Sequence, residues 1–144
     1  MSKVAIVYWS GTGNTEQMAD LVLQGAQAAG AQASVLRASE FDAEQMDAFD
    51  AVAFGCPSMG VEELEETEFA PMFDACKRKL QGKKIALFGS YGWGDGEWMR
   101  NWEEACIQDG AQLVHPYVIC NEAPDEQAQL DCQALGRALA TSAD

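Results

Sequence analysis

The stretch that decides how this chain folds is Val4-Ala5-Ile6-Val7-Tyr8-Trp9-Ser10-Gly11-Thr12-Gly13-Asn14-Thr15-Glu16-Gln17-Met18-Ala19-Asp20-Leu21-Val22-Leu23. Its first six residues form a continuous apolar run, which predicts a strand of a parallel sheet covered on both faces. From Glu16 the period changes. Met18, Ala19, Leu21, Val22, Leu23 and Ala26 recur at helical spacing over residues 16–29, and Gly30 follows as a helix stop. Between strand and helix lie six residues that are small or able to hydrogen-bond. The glycines allow the backbone to wrap a tetrahedral group, amides at the helix start point inward, and the hydroxyls of Ser10, Thr12 and Thr15 add donors, so the loop reads as an anion cradle. An ordinary Gly-rich turn with helix-capping threonines is the alternative. No Lys-Ser/Thr pair follows the glycines, and Glu16 stands where a dinucleotide fingerprint requires its third glycine. Lacking Lys and Arg, the loop suits a phosphate monoester that stays bound rather than one that is cleaved.

Working outward, the same alternation repeats. Apolar runs at 33–37, 51–55, 84–89 and 113–120 predict four more strands, and residues 68–80, 97–109 and 125–141 predict helices, with a weaker helical pattern at 42–49. Strand and helix alternate throughout, which makes right-handed βαβ units and an α/β fold with an open, doubly wound sheet of five parallel strands. Ligands of such sheets bind beyond the carboxyl ends of the strands, where the strand order reverses. The loops to inspect are therefore 10–15, 56–66, 90–96 and 121–124. Cys56-Pro57-Ser58-Met59-Gly60 offers a soft apolar side chain beside a freely turning peptide, ahead of an acidic run. Ser90-Tyr91-Gly92-Trp93-Gly94-Asp95-Gly96 surrounds two aromatics with glycines. Trp93 there either stacks on a flat ring or anchors itself on the core, and the anion cradle nearby favours stacking.

Composition narrows the function. The 144 residues read as one domain, 1–144, and carry 23 acidic against 9 basic side chains, a net charge of −14. That repels nucleic acid and anionic lipid and favours a basic protein partner. The five cysteines include no C-x-x-C pair of the kind zinc sites and redox dithiols use, which predicts reduced thiols, no metal site and a cytoplasmic location. Residues 4–9 are too short to span a bilayer, and no export signal is evident. His115 is expected as a packed histidine inside the fifth strand. No Ser, Cys or carboxylate has an evident base partner, so the chain lacks the parts of an enzyme.

The three loops resemble those of short-chain flavodoxins of the clostridial type. The resemblance rests on Tyr8 to Glu16, on Gly55-Cys56-Pro57-Ser58-Met59-Gly60 with Glu62, and on Gly89-Ser90-Tyr91-Gly92-Trp93-Gly94, and it covers essentially the whole chain. It implies a flavodoxin-like three-layer fold with strand order 2-1-3-4-5 and non-covalently bound FMN. Ser10, Gly11, Thr12, Gly13, Asn14 and Thr15 would hold the phosphate. Met59 and Trp93 would cover the two faces of the isoalloxazine, Pro57 would be among the cofactor-binding residues, and Glu62 would accept from flavin N3–H. Backbone groups of Tyr91, Gly92, Trp93 and Gly94 would reach the pyrimidine edge, while Ser58, Ser90 and Asn121 are candidates for the ribityl chain. The Met59-Gly60 peptide would be the redox switch. The implied job is low-potential one-electron transfer between redox proteins, shuttling between semiquinone and hydroquinone, by a monomer with at least one basic partner. Glu62, Glu63, Glu65, Glu66, Asp95 and Glu97 would border the flavin and lower the second potential by on the order of 100 mV. The alternative is a reductase of the same fold taking hydride from a nicotinamide nucleotide.

Overall fold

Strand β1 (Lys3–Tyr8) is buried from Val4 onward, and its two-residue period divides the core. Val4, Ile6 and Tyr8 join one apolar cluster, Ala5 and Val7 the other. The computed structural model describes residues 2–142. After β1 come α1 (Asn14–Ala28), β2 (Gln32–Arg37), β3 (Ala51–Gly55), α2 (Phe69–Cys76), β4 (Lys84–Tyr91), α3 (Glu97–Gln108), β5 (Gln112–Leu113), β6 (Val118–Asn121) and α4 (Glu126–Ser142). All pairings are parallel, in the order β2-β1-β3-β4-β5, with β6 continuing along β4. Met18 and Val22 of α1 and Cys132, Leu135 and Leu139 of α4 cover one face, and Phe69, Phe73, Trp98 and Trp102 of α2 and α3 cover the other. This is the doubly wound three-layer architecture expected from the alternation.

Helices α1 and α4 meet through glycine. A Cβ on Gly25 would lie 2.0 Å from the Gln133 carbonyl oxygen, and one on Gly136 would lie 2.0 Å from that of Val22, so the two backbones touch where no side chain could intervene.

Two elements depart from the sequence reading. Residues 42–49 do not form an α-helix; they hold a single 3-10 turn, Gln45–Ala48. Asp42 and Gln45 exchange bonds of 2.9 and 3.0 Å between side chain and backbone N–H, and the Lys83 ammonium ties down the Met46 and Phe49 carbonyls. Side-chain competition for the backbone keeps this segment short, so the β2–β3 crossover carries no α-helix. The fifth strand is also broken. Leu113 pairs with Ile85 and Val118 with Phe88, so two extra residues are extruded at the break. Pro116 sits there and has no N–H to give the ladder. His115 lies in the break, half-buried, with Nδ1 2.8 Å from the Pro116 carbonyl, and is not packed inside a strand.

Candidate functional site

The strand ends carry rigid pairing into the loops. Trp9 N–H donates to the Gly55 carbonyl at 3.0 Å, Cys56 N–H to Phe88 at 3.1 Å, and Ser58 N–H to Ser90 at 3.0 Å. The loops after β1, β3 and β4 therefore start from fixed positions at the point where the strand order reverses. Between them opens a crevice of about 230 Å³, lined by Ser10, Gly11, Thr12, Asn14, Thr15, Pro57, Ser58, Met59, Ser90, Tyr91 and Gly92, together with Trp9 and Glu122.

On the cradle side, α1 opens at Gly13, whose φ of +100° demands glycine; the Asn14 N–H lies 3.5 Å from Thr12 Oγ1, and no side chain caps the Thr15 and Glu16 amides among the described residues. A 15-residue helix with free N-terminal donors presents partial positive charge into the crevice. Ser10 Oγ accepts from Gly13 N–H at 3.0 Å, which curls the loop. Thr15 is 1% exposed; its Oγ accepts from Ser90 N–H at 3.4 Å, which leaves the hydroxyl proton for another acceptor. The donor set is neutral, concave and oriented, and it fits a phosphate monoester. The loop itself has no cation, but the fold brings Arg37 from the end of β2 to its outer side. There Tyr8, Trp9, Glu16 and Glu68 join it around a more polar hollow of about 380 Å³. The Tyr8 hydroxyl donates to Glu16 at 3.0 Å, and burial together with that carboxylate pushes the phenol above its ordinary pKa. The outer hollow is larger, but only the inner crevice is bounded by all three loops, so the inner one is the candidate site.

The loop after β3 forms a closed turn. Met59 and Glu63 exchange two backbone bonds of 2.8 Å, with Gly60 at φ +53° and Glu62 at φ +54° between them. The sequence reading assigned the mobile peptide to Met59-Gly60. In the structure the Met59 carbonyl is held by Glu63 N–H, whereas the next peptide, Gly60-Val61, makes no hydrogen bond among the described residues. Glu62 Oε1 accepts from Glu97 N–H at 2.8 Å, and its carboxyl lies so close to Gly94 that a Cβ there would come within 2.4 Å. This contact joins the 59–63 turn to the Trp93 loop and orients the Glu62 carboxylate. Met59 is 37% exposed and Trp93 66%, so neither is spent on the core. Tyr91 packs at 5.6 Å on Trp98, whose indole N–H donates to the Cys56 carbonyl at 3.2 Å.

Two sequence expectations need adjusting, those for Asn121 and Glu65. Asn121 does not line the crevice; its side-chain amide donates to the Tyr91 carbonyl at 3.2 Å and faces a neighbouring hollow. Glu122 lines the crevice instead, at φ +58°, and its carbonyl accepts from Ser90 Oγ at 2.6 Å. It belongs to the 121–124 loop, but its backbone conformation gives no sequence signal. Glu65 was counted with the acidic run, yet it is 4% exposed. Its carboxylate accepts from the N–H groups of Thr67, Glu68 and Phe69, each at 2.8 Å, and from the Thr67 hydroxyl. Burial alone would raise this carboxyl; the four donors outweigh it and hold it below the ordinary glutamate value. Trp9, for which sequence spacing predicts no role, lies against Gly11 and donates through its indole N–H to Glu68 at 3.1 Å, bracing the cradle. All five cysteines are buried and unpaired, and burial pushes Cys56, Cys106 and Cys132 up to about 12, which leaves them inert as thiolates.

Comparison with known proteins agrees with this arrangement. The family model described as flavodoxin matches residues 6–136. The chain is 44% identical over 135 residues to a flavodoxin of Clostridium beijerinckii, covering 94% of this chain and 97% of that one. It is likewise 44% identical over 137 residues to a flavodoxin of Megasphaera elsdenii, covering 95% and 98%. The solution structure of the two-electron reduced Megasphaera elsdenii flavodoxin superposes with a TM-score of 0.89 over 96% of this chain and 98% of that one.

Proposed function

The chain belongs to the flavodoxin family, the FMN-based electron carriers, and from that premise we propose how its own residues hold the cofactor and set its use. When bound, FMN accepts and releases electrons one at a time, which lets the chain pass them between redox proteins. The hydroxyls of Ser10, Thr12 and Thr15 and the amides of Gly11, Asn14 and Thr15 bind the phosphate through neutral donors, while the Gly13 N–H holds Ser10 Oγ and shapes the loop around it. The uncapped start of α1 is the observation that carries this reading. Holding the phosphate without a cation in the loop leaves its negative charge in place, which disfavours further negative charge on the ring.

Met59 and Trp93 cover the ring faces and exclude water. Glu62, already oriented by Glu97 N–H, accepts from the ring N3–H. The peptide free to reorient at the ring edge is Gly60-Val61, not Met59-Gly60. Pro57, Ser58 and Tyr91 to Gly94 border the ring and its side chain; Ser90 and Asn121 act by bracing Glu122 and Tyr91. Charge acts in the same direction as the neutral cradle. With Glu65 consumed by α2 and Asp95 paired to Arg100 at 3.0 Å, the uncompensated carboxylates near the site are Glu62, Glu63, Glu66, Glu97 and Glu122. They favour the low-potential range and a basic partner. One domain acting as a cytoplasmic monomer fits the net charge of −14, and no helix of the described residues is long and apolar enough to cross a membrane. A reductase reading is not favoured: the relatives matched at 44% identity are flavodoxins, and Arg37, the cation in the hollow that adjoins the crevice, is set against Tyr8 and Glu16.

The test is reconstitution of the FMN-free chain with FMN and with riboflavin, followed by anaerobic redox titration. FMN should bind far more tightly than riboflavin, and reduction should proceed in two separated one-electron steps. Equal affinity for the two ligands would remove the phosphate from the cradle, and a single two-electron step would remove the carrier role.

A further inference from the structure

A second concavity lies outside the FMN crevice. Between α2, α3 and the 59–66 turn runs a groove of about 400 Å³, within the size range of real ligand sites. None of the cradle residues and none of Met59, Gly60 or Trp93 line it; of the site residues only Glu62 does. Its floor is apolar, made by Leu64, Phe73, Trp98 and Trp102, and the space exists because the facing helices present alanines, Ala70 and Ala105, at its walls. Its rim is acidic, with Glu62, Glu63, Glu66 and Asp74. The one cation on the rim, Lys77, is engaged with Asp74 at 3.3 Å.

We infer that this groove docks a basic surface segment of a redox partner, one large apolar side chain seated on the Trp98–Trp102 floor with Lys or Arg on either side of it. Charge complementarity decides the occupant. An apolar floor rewards desolvation of a Phe, Leu or Met, and the three rim carboxylates left over once Lys77 pairs with Asp74, Glu62, Glu63 and Glu66, reward flanking cations while rejecting an acidic segment or an anionic headgroup. The position has a functional consequence. The 62–66 segment is shared by the groove and by the turn that borders the flavin, so a partner anchored here is held beside the redox edge without covering the cradle. The inference rests on the carrier reading, but the groove walls Ala70 and Ala105 touch no residue given a part in holding FMN or setting its potential, so filling the groove there and titrating the flavin can fail separately.

The test uses the FMN-loaded protein and three amidated, acetylated peptides: Lys-Arg-Phe-Lys-Lys, the same with Ala for Phe, and Glu-Asp-Phe-Glu-Glu. Titration is followed through the indole N–H resonances of Trp98 and Trp102 and the backbone amides of Ala70 and Ala105. The basic Phe peptide should shift these signals saturably and bind at least tenfold more tightly than its Ala counterpart, and the acidic peptide should not bind. Ala105→Leu fills the groove and should weaken the basic Phe peptide at least tenfold with FMN affinity unchanged. Ala70→Leu tests the opposite wall should the first variant misfold, and the double variant Glu63→Gln, Glu66→Gln should lose most of the preference for cations. Equal binding of the Phe and Ala peptides, binding of the acidic one, or full affinity in the wall-filling variants would overturn the proposal.

Discussion

Replacing Glu65 tests how the 59–66 turn is tied to the rest of the molecule. The carboxylate satisfies the N–H groups of Thr67, Glu68 and Phe69, while the Glu65 carbonyl accepts from Ala70 at 2.8 Å and Pro71 has no N–H to satisfy. The first turn of α2 therefore depends on this one residue. In Glu65→Ala the amides of Thr67 and Glu68 are on exposed residues and can turn to water, at a net loss of about 0.5–1 kcal/mol each. Phe69 is fully buried, so its N–H is left unsatisfied at about 1–3 kcal/mol. The sum is about 2–5 kcal/mol, a lowering of Tm on the order of 10 °C. Glu65→Gln keeps one acceptor oxygen and should cost about 1–2 kcal/mol. Urea unfolding of the FMN-free chain is the assay, since bound ligand would add its own stabilisation. The contribution also depends on pH with a definite sign. The folded carboxyl titrates below its ordinary value, so its stabilisation is fully present above the unfolded pKa of about 4.3 and is lost as pH falls through the lower folded value. The gap between parent and Glu65→Gln should therefore narrow in that acid window. An alanine variant within about 0.5 kcal/mol of the parent at pH 7, or a gap unchanged on acidification, would refute the capping argument.

Other perturbations separate cofactor binding, packing and docking. Thr12→Ala and Thr15→Ala should each weaken FMN by about 1.5–3 kcal/mol and riboflavin far less. Thr15→Ala should in addition destabilise the FMN-free chain, because the amide of buried Ser90 loses the Thr15 hydroxyl as acceptor; fluorescence titration with both ligands and urea unfolding separate the two effects. Gly136→Ala drives a Cβ against the Val22 carbonyl oxygen at 2.0 Å, so it should destabilise by about 1–3 kcal/mol or more, with calorimetry as the readout. Glu63→Gln with Glu66→Gln should flatten the salt dependence of electron transfer to a basic redox protein in stopped-flow runs from about 0.02 to 0.5 M salt. An unchanged slope would show that these two carboxylates are only a solvated face.

Local pattern determined much of this protein. The change from a continuous apolar run to helical spacing around residues 10–15 is a property of neighbouring residues, so the βα unit, the cradle and the doubly wound class were legible in it. The same holds for Met59 and Trp93, whose apolar side chains in glycine-rich loops have no local use. Tertiary structure decided what depends on residues distant in sequence. Periodicity does not report a proline breaking the ladder of the fifth strand, because the apolar pattern around His115 and Pro116 continues through the break. Nor does it report Asp42 and Gln45 diverting the backbone from helix to a single turn. Glu65 reads as one more charge in an acidic run, and only folding shows that burial beside the start of α2 converts it from a solvated charge into a cap. Arg37, Glu122 and the pairing of Gly25 with Gly136 follow the same rule: each gains its role from a partner that the sheet order and helix packing bring to it. Sequence spacing states what a residue could do, whereas burial and the identity of its partners decide which of those possibilities it carries out.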